Sequence, residues 1–261
     1  MGSNTKNRLR KFFQGWTGSI ILAFLIAMTF KSMIADWNDV PSGSMKPTIV
    51  EGDRIFVNKL AYDLKIPFWP FGKKPYKTIQ LIRWDDPKRG DIVVFFSPLT
   101  GTRLVKRVVG LPGDTVELLD NRLIVNRKAV AYENLTATDF PDLGSIDKWA
   151  HDFYMELLDF KKHAVMIKNK EKLIEELKKN GYSEEAIQEH LDSLLIPFLF
   201  QIPKNSYVMI GDNRTNSADS RVFQYVDRRQ IVGRAVAIAI SREGSIFKGR
   251  FRGHRFFKKL I

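Results

Sequence analysis

The feature that most constrains this 261-residue chain is a run of nineteen residues without a charge, FFQGWTGSIILAFLIAMTF, from Phe12 to Phe30. A helix of about 20 apolar residues is long enough to cross the hydrocarbon core of a bilayer. The eleven residues before it contain no acid and four bases, which are Lys6, Arg8, Arg10 and Lys11. Basic residues next to a membrane segment favour the cytoplasmic side. The sequence therefore predicts a basic cytoplasmic N-terminus over 1–11 and a single transmembrane anchor over 12–30, followed by an exported body.

Two other interpretations of this apolar segment exist. A cleavable signal peptide would share the basic start, but it needs a pair of small residues at its end. The chain reads KSMIADW after Phe30 and offers no such pair. A buried helix of a soluble domain is the second alternative, but this segment is longer and more uniformly apolar than most such helices. A retained anchor is the interpretation that the segment favours.

The net charge of +13 is concentrated at the two ends of the chain. The first eleven residues carry +4, and the last twenty-one carry seven bases against the single acid Glu243. Nucleic-acid-binding proteins usually place such charge on a folded face, whereas basic ends beside aromatic and aliphatic residues suit anionic lipid headgroups. We therefore expect a lipid bilayer, and no nucleic acid, as a partner. The C-terminal tail over 242–261 is expected either to lie on the membrane or to form a disordered basic tail.

The body of the chain has the composition of β structure. Its candidate strands are rich in Val, Ile and Phe and cover residues 53–62, 91–97, 103–111, 114–119, 122–130, 206–210 and 231–241. Turn signals separate several of them, as at Pro112-Gly113 and Asp120-Asn121. Repeated βαβ units are not apparent. The pattern predicts a mainly β fold, an antiparallel barrel or sandwich-like catalytic domain over 36–130 and 204–241.

A different pattern occupies residues 131–203. The stretch from Asn169 to Gly181 has a helical period, with Leu173, Ile174 and Leu177 on one side. A second stretch begins with Ser183, a residue type that caps helices, and continues with two acids. The sequence predicts an inserted, partly helical subdomain with a solvated charged face, or alternatively a face that binds a partner.

The stretch VPSGSMKPTI, from Val40 to Ile49, raises the question of a serine nucleophile. A serine needs a base to remove its proton. The four histidines, His151, His163, His190 and His254, lie in or beside the insertion and the tail, without a readable carboxylate partner. Cysteine is absent, which excludes disulfides and thiolate metal sites. We expect no cofactor and no metal.

A neutral lysine is the alternative base, provided that burial lowers its pKa by roughly 3 units from about 10.4. Lys46 precedes a proline in a turn-like stretch and is expected to be hydrated. Lys106 lies in LVKRVVG, where a half-buried strand is expected. It points to the face opposite Arg107, so that one of the two can face apolar protein while the other reaches water. Spacing therefore favours Lys106 as the base. The competing interpretations are an edge-strand lysine that blocks aggregation and an ordinary Gly-Ser loop at PSGSM.

Four stretches occur in a specific order behind the anchor: PSGSMKPT (41–48), RGDIVVF (89–95), KRVVGLPGD (106–114) and GDNRTNSADSR (211–221). Together they resemble the bacterial type I signal peptidases, Ser/Lys endopeptidases that remove leader peptides from exported proteins. The resemblance covers 40–130 and 206–241 and is weak through the insertion and the tail. It implies a signal-peptidase-like antiparallel β catalytic domain with a helical insertion, on the exported side of the bacterial cytoplasmic (inner) membrane.

The resemblance implies a role for each matching residue. Ser44 would be the nucleophile, forming an acyl-enzyme, and Lys106 the general base. The Ser42 hydroxyl and the Ser44 backbone N–H would stabilise the oxyanion, and Ser217 would orient the Lys106 amine. Asp219 and Arg221 would form a supporting ion pair on one side of an extended segment.

The resemblance also implies cleavage of signal peptides after small residues, the A-x-A rule. The matching pocket positions are Val40, Pro41, Met45, Ile49, Leu104 and Val105. This chain departs from the family at Thr215, which replaces a common Asp, and at Asn38, which replaces an apolar residue. Two further hypotheses are a soluble self-cleaving Ser/Lys repressor and an inactive membrane-tethered binding protein. A DNA-binding module where the anchor stands would favour the first, and loss of Ser44 or Lys106 the second.

Overall fold

The computed structural model describes residues 15–16, 18–24, 34–65, 78–194, 198–243 and 249–260. Only two short pieces of the predicted anchor fall in these ranges, and Trp16 and residues 18–24 are helical. Among the described residues, none of the helices combines the length and apolar character that crossing a membrane requires. The rest of the predicted anchor lies outside the described residues.

The strands of the first half of the chain fall mostly within the predicted segments, although Ala35–Asp39, Asp63–Lys65 and Gln80–Arg83 lie outside them. They are β1 (Ala35–Asp39), β2 (Asp53–Asn58), β3 (Asp63–Lys65), β4 (Gln80–Arg83), β5 (Ile92–Phe96), β6 (Arg103–Gly110), β7 (Thr115–Leu119), β8 (Arg122–Val125) and β9 (Lys128–Ala129). The predicted strand 53–62 is shorter because Asn58 caps a 3-10 turn by accepting the N–H of Leu60. The predicted strand 122–130 is a hairpin, since Asn126 and Arg127 adopt positive φ.

The second half contains the remaining strands and four short helices. The strands are β10 (Ala131–Leu135), β11 (His151–Leu158), β12 (Lys161–Lys168), β13 (Phe198–Gln201), β14 (Ser206–Ile210), β15 (Val226–Asp227), β16 (Ile231–Glu243), β17 (Arg250–Phe251) and β18 (Lys258–Lys259). The helices are α1 (Ser145–Ala150), α2 (Lys170–Lys179), α3 (Glu184–Leu194) and α4 (Ser220–Phe223).

Among the described residues, the β domain is built on a nine-stranded sheet, which confirms the predicted mainly β, antiparallel architecture. Its main path runs β1-β2-β16-β5-β6-β14-β15, and β17 and β18 also pair with β16. Successive side chains of a strand point to opposite faces. Ile92 and Val94 accordingly lie in one apolar cluster, and Val93 and Phe95 in another. Strand β5 is thus covered by apolar side chains on both faces, and the neighbouring strand β6 lies in an environment with little access to water.

The insertion contains more β structure than the sequence predicted. Strands β10, β11 and β12 form a three-stranded antiparallel sheet that accompanies the two predicted helices. The β pattern was hidden because two of its inward positions are polar: Glu156 and His163 face each other across β11 and β12 and are buried. The helices are confirmed, and the Asn169 side chain caps α2 by accepting the N–H of Lys172.

The C-terminal residues are part of the fold. Arg255 is 1% exposed and forms ion pairs with Asp53 and Asp142 at 2.6 and 2.8 Å. The alternative of a disordered tail is therefore wrong for residues 249–260, because strand pairing and buried ion pairs hold them on β16. Phe256 and Phe257 remain more than half exposed.

Candidate active site

The two serines of the VPSGSM stretch lie on a tight loop after β1. Residues Gly43–Met45 form a 3-10 turn, and Ser42 precedes it in an extended conformation. Met45 and Ile49 are buried in the apolar cluster below the turn. These two anchors keep the half-buried Ser44 at a defined position on the surface of the core. Ser42 is exposed beside it.

The predicted base lies against this loop. Lys106 is on β6 and is 3% exposed, and its Nζ atom is 2.6 Å from the Ser44 Oγ atom. This distance is a hydrogen bond, in which the ammonium donates to the hydroxyl or the hydroxyl donates to the neutral amine. The structure thus brings together two residues that are 62 positions apart in sequence.

The surroundings of Lys106 favour its neutral form. Burial among apolar residues lowers the pKa of Lys106 from 10.5 to about 8. The carboxylates of Asp219 and Asp212 act in the opposite direction, and Arg221 adds to the lowering. Desolvation wins because the amine has no direct carboxylate partner among the described residues. A buried lysine with this pKa is able to act as a base near neutral pH.

Gly211 lets residues 211–214, the GDNR stretch, approach the serine loop, which is the loop that carries Ser42 and Ser44. A Cβ atom at this position would lie 2.3 Å from the Ser217 Oγ atom and 2.4 Å from the Ser44 carbonyl oxygen. The Ser217 Oγ atom and the Ser44 carbonyl oxygen therefore both lie against Gly211. Ser217 Oγ is buried and lies near Asp219, whose lowered pKa it supports. Its lysine-orienting role stays a prediction.

Two residues of this stretch, Asp212 and Asn213, were not singled out from the sequence. Asp212 accepts hydrogen bonds from Nε and Nη2 of Arg107, both at 2.8 Å, and from the Thr48 hydroxyl at 2.5 Å. Asn213 donates its side-chain amide to the Gly43 carbonyl and its backbone N–H to the Ser44 carbonyl, both at 3.2 Å. Together they fasten the serine loop to β6. The signal that could have identified them is their position inside GDNRTNSADSR (211–221), one of the four stretches on which the resemblance rests.

Arg107 and Lys106 differ from the expectation that one of the two reaches water. Arg107 is fully buried, like the neighbouring Lys106, because Asp212 and the Gly90 carbonyl satisfy its guanidinium. The alternation of faces holds, but both faces of β6 are covered at this point. A buried arginine needs such partners to offset the loss of hydration.

The predicted pair of Asp219 and Arg221 is present, with Arg221 Nη2 at 2.7 Å from Asp219 Oδ2. It does not lie along an extended segment, because Asp219 caps the short helix α4 that contains Arg221. Burial alone would raise the pKa of Asp219, but the hydrogen bonds and charge of Arg221 and the N–H of Gly211 lower it overall. Asp219 therefore stays ionised.

A second buried network joins the insertion to the GDNR stretch. Glu156 of β11 accepts two hydrogen bonds from Arg214, at 2.7 and 2.6 Å, and a further one from Tyr132. His163 Nε2 lies 3.1 Å from Glu156, and burial lowers the pKa of His163. Burial also opposes ionisation of Glu156, but Arg214 and His163 outweigh it and hold the Glu156 pKa far below its ordinary value.

The predicted pocket residues do not all lie together. Val40, Met45 and Ile49 share one apolar cluster, and Val105 packs against it. Leu104 packs against the cluster on the other face of the sheet.

Two further positions singled out from the sequence, one pocket residue and one departure from the family, lie close to Val40 along the chain. Pro41 is exposed. The departure Asn38 accepts a hydrogen bond from Arg103 at 3.1 Å, which introduces a polar group near this end of β1.

The other departure and the rejected base both contact the insertion. The Thr215 hydroxyl accepts the N–H of Lys168 at 3.0 Å. Lys46 is not hydrated as expected: its Nζ atom is 2.8 Å from carboxylate oxygens of both Glu51 and Asp147. Burial acts to lower the pKa of Lys46, but the two carboxylates raise it overall. Lys46 therefore stays charged and cannot serve as the base.

The sequence family Signal peptidase, peptidase S26 matches residues 13–240. A Signal peptidase I of Buchnera aphidicola subsp. Schizaphis graminum is 32% identical over 90% of this chain and 77% of its own length. A Signal peptidase I of Pseudomonas aeruginosa is 33% identical over 85% of this chain and 71% of its own. The crystal structure of a signal peptidase I from Enterococcus faecalis matches at 27% identity and a TM-score of 0.31, covering 57% of this chain and 97% of that one. The chain belongs to the signal peptidase family, peptidase S26, and is a serine endopeptidase.

Proposed function

We propose that this serine endopeptidase is a membrane-anchored signal peptidase I that removes the N-terminal signal peptides of exported preproteins by a Ser44/Lys106 dyad. The observation that carries the proposal is the 2.6 Å contact between the Ser44 Oγ atom and the buried Lys106 Nζ atom. Family membership supports signal peptides as the substrate. The roles of Ser44 and Lys106 rest on this geometry, and those of Ser42 and Ser217 rest on the resemblance of the matching stretches.

In the first half-reaction, the neutral amine of Lys106 takes the proton of Ser44 as Oγ attacks the scissile carbonyl carbon of the preprotein. With a pKa of about 8, roughly a tenth of the enzyme carries a neutral Lys106 at pH 7. Collapse of the tetrahedral intermediate breaks the C–N bond, and the Lys106 ammonium returns the proton to the leaving amine. The mature protein departs and the signal peptide remains esterified to Ser44.

In the second half-reaction, Lys106 removes a proton from a water molecule that attacks the ester carbonyl. The tetrahedral intermediate releases the signal-peptide carboxylate, and the proton returns to Ser44. The Ser44 backbone N–H and the Ser42 hydroxyl are the proposed donors to the oxyanion in both halves. Removing one such donor typically lowers kcat by about 10²–10³-fold. Ser217 and the ion pair of Asp219 and Arg221 would keep the amine in place.

Substrate selection would depend on the apolar surface below the serine loop. The half-buried Val105, with the buried Val40, Met45 and Ile49 packed behind it, would form an apolar surface that admits only small side chains, in keeping with cleavage after small residues. The signal peptide would bind in an extended form beside the edge strand β1 and the start of β6. Asn38 and Arg103 would make one end of this groove polar.

The location of the enzyme follows from the apolar segment over 12–30. We propose a single-pass protein of the bacterial cytoplasmic membrane with 1–11 in the cytoplasm. The catalytic domain over 36–130 and 204–241, with the inserted subdomain 131–203 and the tail 242–261, would lie on the exported side. Alkaline carbonate extraction tests the anchor: retention in the membrane pellet is expected, and release would contradict it.

The dyad is tested with the variants Ser44→Ala and Lys106→Met and a preprotein whose cleaved bond is mapped by mass spectrometry. Each variant should lose about 10³-fold or more of kcat/KM, because the two residues act as a unit. Lys106→Met keeps the buried volume and removes an amine that burial disfavours, so it is expected to fold. Lys128→Met, on the exposed strand β9, is the matched control and should keep full activity. Near wild-type cleavage by either dyad variant would disprove the assignment.

A further inference from the structure

The inserted subdomain contacts the serine loop through an ionic contact at Lys46. Lys46 Nζ lies 2.8 Å from Asp147 Oδ2, and the lysine side chain is only 15% exposed. Asp147 belongs to α1 and is 101 positions away in sequence. Glu51 supplies a second carboxylate at 2.8 Å. This contact links a subdomain without an assigned role to the loop that carries the proposed nucleophile.

The path of the Lys46 side chain shows what the contact does. The aliphatic part of the Lys46 side chain passes over Gly43, the residue between the two serines. A Cβ atom on Gly43 would lie 3.0 Å from Lys46 Cε and 2.6 Å from Glu51 Oε1. The backbone N–H of Lys46 also donates to the Gly43 carbonyl at 3.0 Å. The methylene groups and the carboxylate therefore form a wall against the peptide segment that joins Ser42 to Ser44.

The same segment is also held by the GDNR stretch. Asn213 donates to the carbonyl groups of Gly43 and Ser44. The loop is thus held by both Asn213 and Lys46. Both proposed oxyanion donors, the Ser44 N–H and the Ser42 hydroxyl, belong to this segment. Such donors contribute to catalysis only when they are held within about 0.5 Å of the productive geometry.

The carboxylate partner is itself well fixed. Asp147 lies in the first turn of α1, where a negative charge is favourable. Its backbone carbonyl is 2.9 Å from Nδ1 of His151, the first residue of β11. The position of Lys46 is therefore set partly by the insertion, through Asp147, and partly by Glu51.

We propose that Lys46 and Asp147 are positioning residues, through which the inserted subdomain holds the oxyanion-forming segment between Ser42 and Ser44. This inference rests on the proposed function, in which Ser44 is the nucleophile. The two residues touch neither the substrate nor the reacting atoms. They act through the orientation of the loop, so the rate of the chemical step depends on them and the binding of the signal peptide does not.

The test measures kcat and KM for a model preprotein with the full-length enzyme in detergent micelles. Asp147→Asn and Lys46→Met should each lower kcat by about tenfold or more and leave KM within about twofold, because the pair acts on the transition state. Lys46→Met should have the larger effect, since Lys46 keeps Glu51 when Asp147 is changed. The double variant should be no slower than Lys46→Met, and Lys46→Arg should recover most of the rate.

The control is Glu133→Gln, which removes a carboxylate from an exposed ion pair with Lys162 on the same subdomain and should leave kcat unchanged. A wild-type pH midpoint is expected for Asp147→Asn, because Lys106 keeps its surroundings. The proposal is wrong if the Lys46→Met and Asp147→Asn rates stay within about twofold of wild type, if the two effects multiply in the double variant, or if the pH midpoint moves.

Two further comparisons keep the test decisive. If Lys46→Met fails to fold, the isosteric Asp147→Asn variant alone decides. Ser44→Ala distinguishes a failure of the proposed function from a failure of the positioning role. An active Ser44→Ala enzyme contradicts the proposed function, whereas an inactive one together with a fully active Asp147→Asn enzyme contradicts only the positioning role.

Discussion

At the scale of single residues, the surroundings of Lys106 decide whether this site has a base. The amine is buried on β6 beside Ser44, and the carboxylates that influence it, Asp212 and Asp219, are engaged by Arg107 and Arg221. If one of these acids paired with Lys106 directly, the ammonium would be stabilised and the base lost. The two arginines therefore protect the neutral amine by occupying the acids.

The pH dependence of the activity follows from this burial. Only the neutral amine accepts a proton, and the pKa of Lys106 is lowered to about 8. We expect kcat/KM to rise about tenfold per pH unit below this value and to level off above it. The measurement is the initial rate of peptide cleavage between pH 6 and 10, with folding monitored by circular dichroism. A flat profile from pH 6 to 9 in folded enzyme would contradict the assignment.

The fit at Gly211 gives a second prediction. In Gly211→Ala, the added Cβ atom would collide with the Ser217 hydroxyl and the Ser44 carbonyl, so the serine loop must move away from Lys106. We expect kcat to fall by about 10²-fold or more, since displacements near 1 Å have effects of this size. Gly253→Ala is the matched control, because a Cβ there makes only ordinary contacts and activity should persist. An active Gly211→Ala enzyme would show that the loop does not need this close approach.

At the scale of elements, the helical hairpin of α2 and α3 packs around an apolar cluster of its own. Leu173, Ile187 and Leu191 form a small apolar cluster of their own, against which Ile174 and Leu177 pack. The three-stranded sheet of the insertion, in contrast, contributes Glu156 and Met166 to contacts with residues 212–214. The two parts of the insertion therefore differ in how strongly they support the site.

A substitution in the hairpin cluster should separate these two parts. Leu173→Ala removes a buried side chain, a change that costs about 2–5 kcal/mol where the structure cannot collapse. Because the cluster is local, we expect faster proteolysis within 169–194 and an unchanged kcat. Limited proteolysis mapped by mass spectrometry measures this, with the exposed Glu175→Ala as control. A large loss of activity in Leu173→Ala would instead assign the hairpin to the catalytic machinery.

At the scale of the whole molecule, the buried ion pairs connect units that are distant in sequence. Arg107 and Asp212 join β6 to the GDNR stretch, and Arg214 and Glu156 join that stretch to the insertion. Arg255 pairs with Asp53 and so joins the C-terminal residues to β2. A buried pair adds little net stability compared with an apolar pair, but removing one partner strands a charge and costs about 3–5 kcal/mol. The assembly of the units therefore depends on all of these partners.

These pairs predict the response of the fold to acid. The pKa values of Glu156, Asp212 and Asp219 are lowered in the folded state. A lowered carboxyl pKa contributes stability above the unfolded pKa, about 4, and that stability is lost as the pH falls through the folded pKa. His163 acts in the same direction, since its lowered pKa lets the unfolded state bind more protons below about 6.5.

We therefore expect the free energy of unfolding to fall steadily from about pH 6 to pH 2. Glu156→Gln should be less stable at pH 7 and should show a shallower slope below pH 5, because its lowered pKa is gone. Urea unfolding at several pH values measures both quantities. Glu133→Gln, in an exposed ion pair, should match the wild type. An unchanged slope in Glu156→Gln would show that the buried carboxylate does not control acid stability.

Several features could be predicted from local sequence because their causes are local. The strands around Val93 and Val208 follow from runs of β-branched residues, and α2 follows from its apolar period and the cap at Asn169. The strands β11 and β12 could not be predicted, since their inward Glu156 and His163 are buried only because Arg214 arrives from a distant segment. The same reason explains why Asp212 and Asn213 were missed.

The sequence by itself determined most strands around the serine loop and Lys106, the position of the insertion and the serines and lysines available for chemistry, since these depend on neighbours along the chain. Only the tertiary structure decided which lysine is a base. Lys46 is near Ser44 in sequence but is held charged by Asp147 and Glu51, while Lys106, 62 positions away, is buried at the Ser44 hydroxyl. Burial and the distance between remote side chains set a pKa, and a linear pattern contains neither quantity.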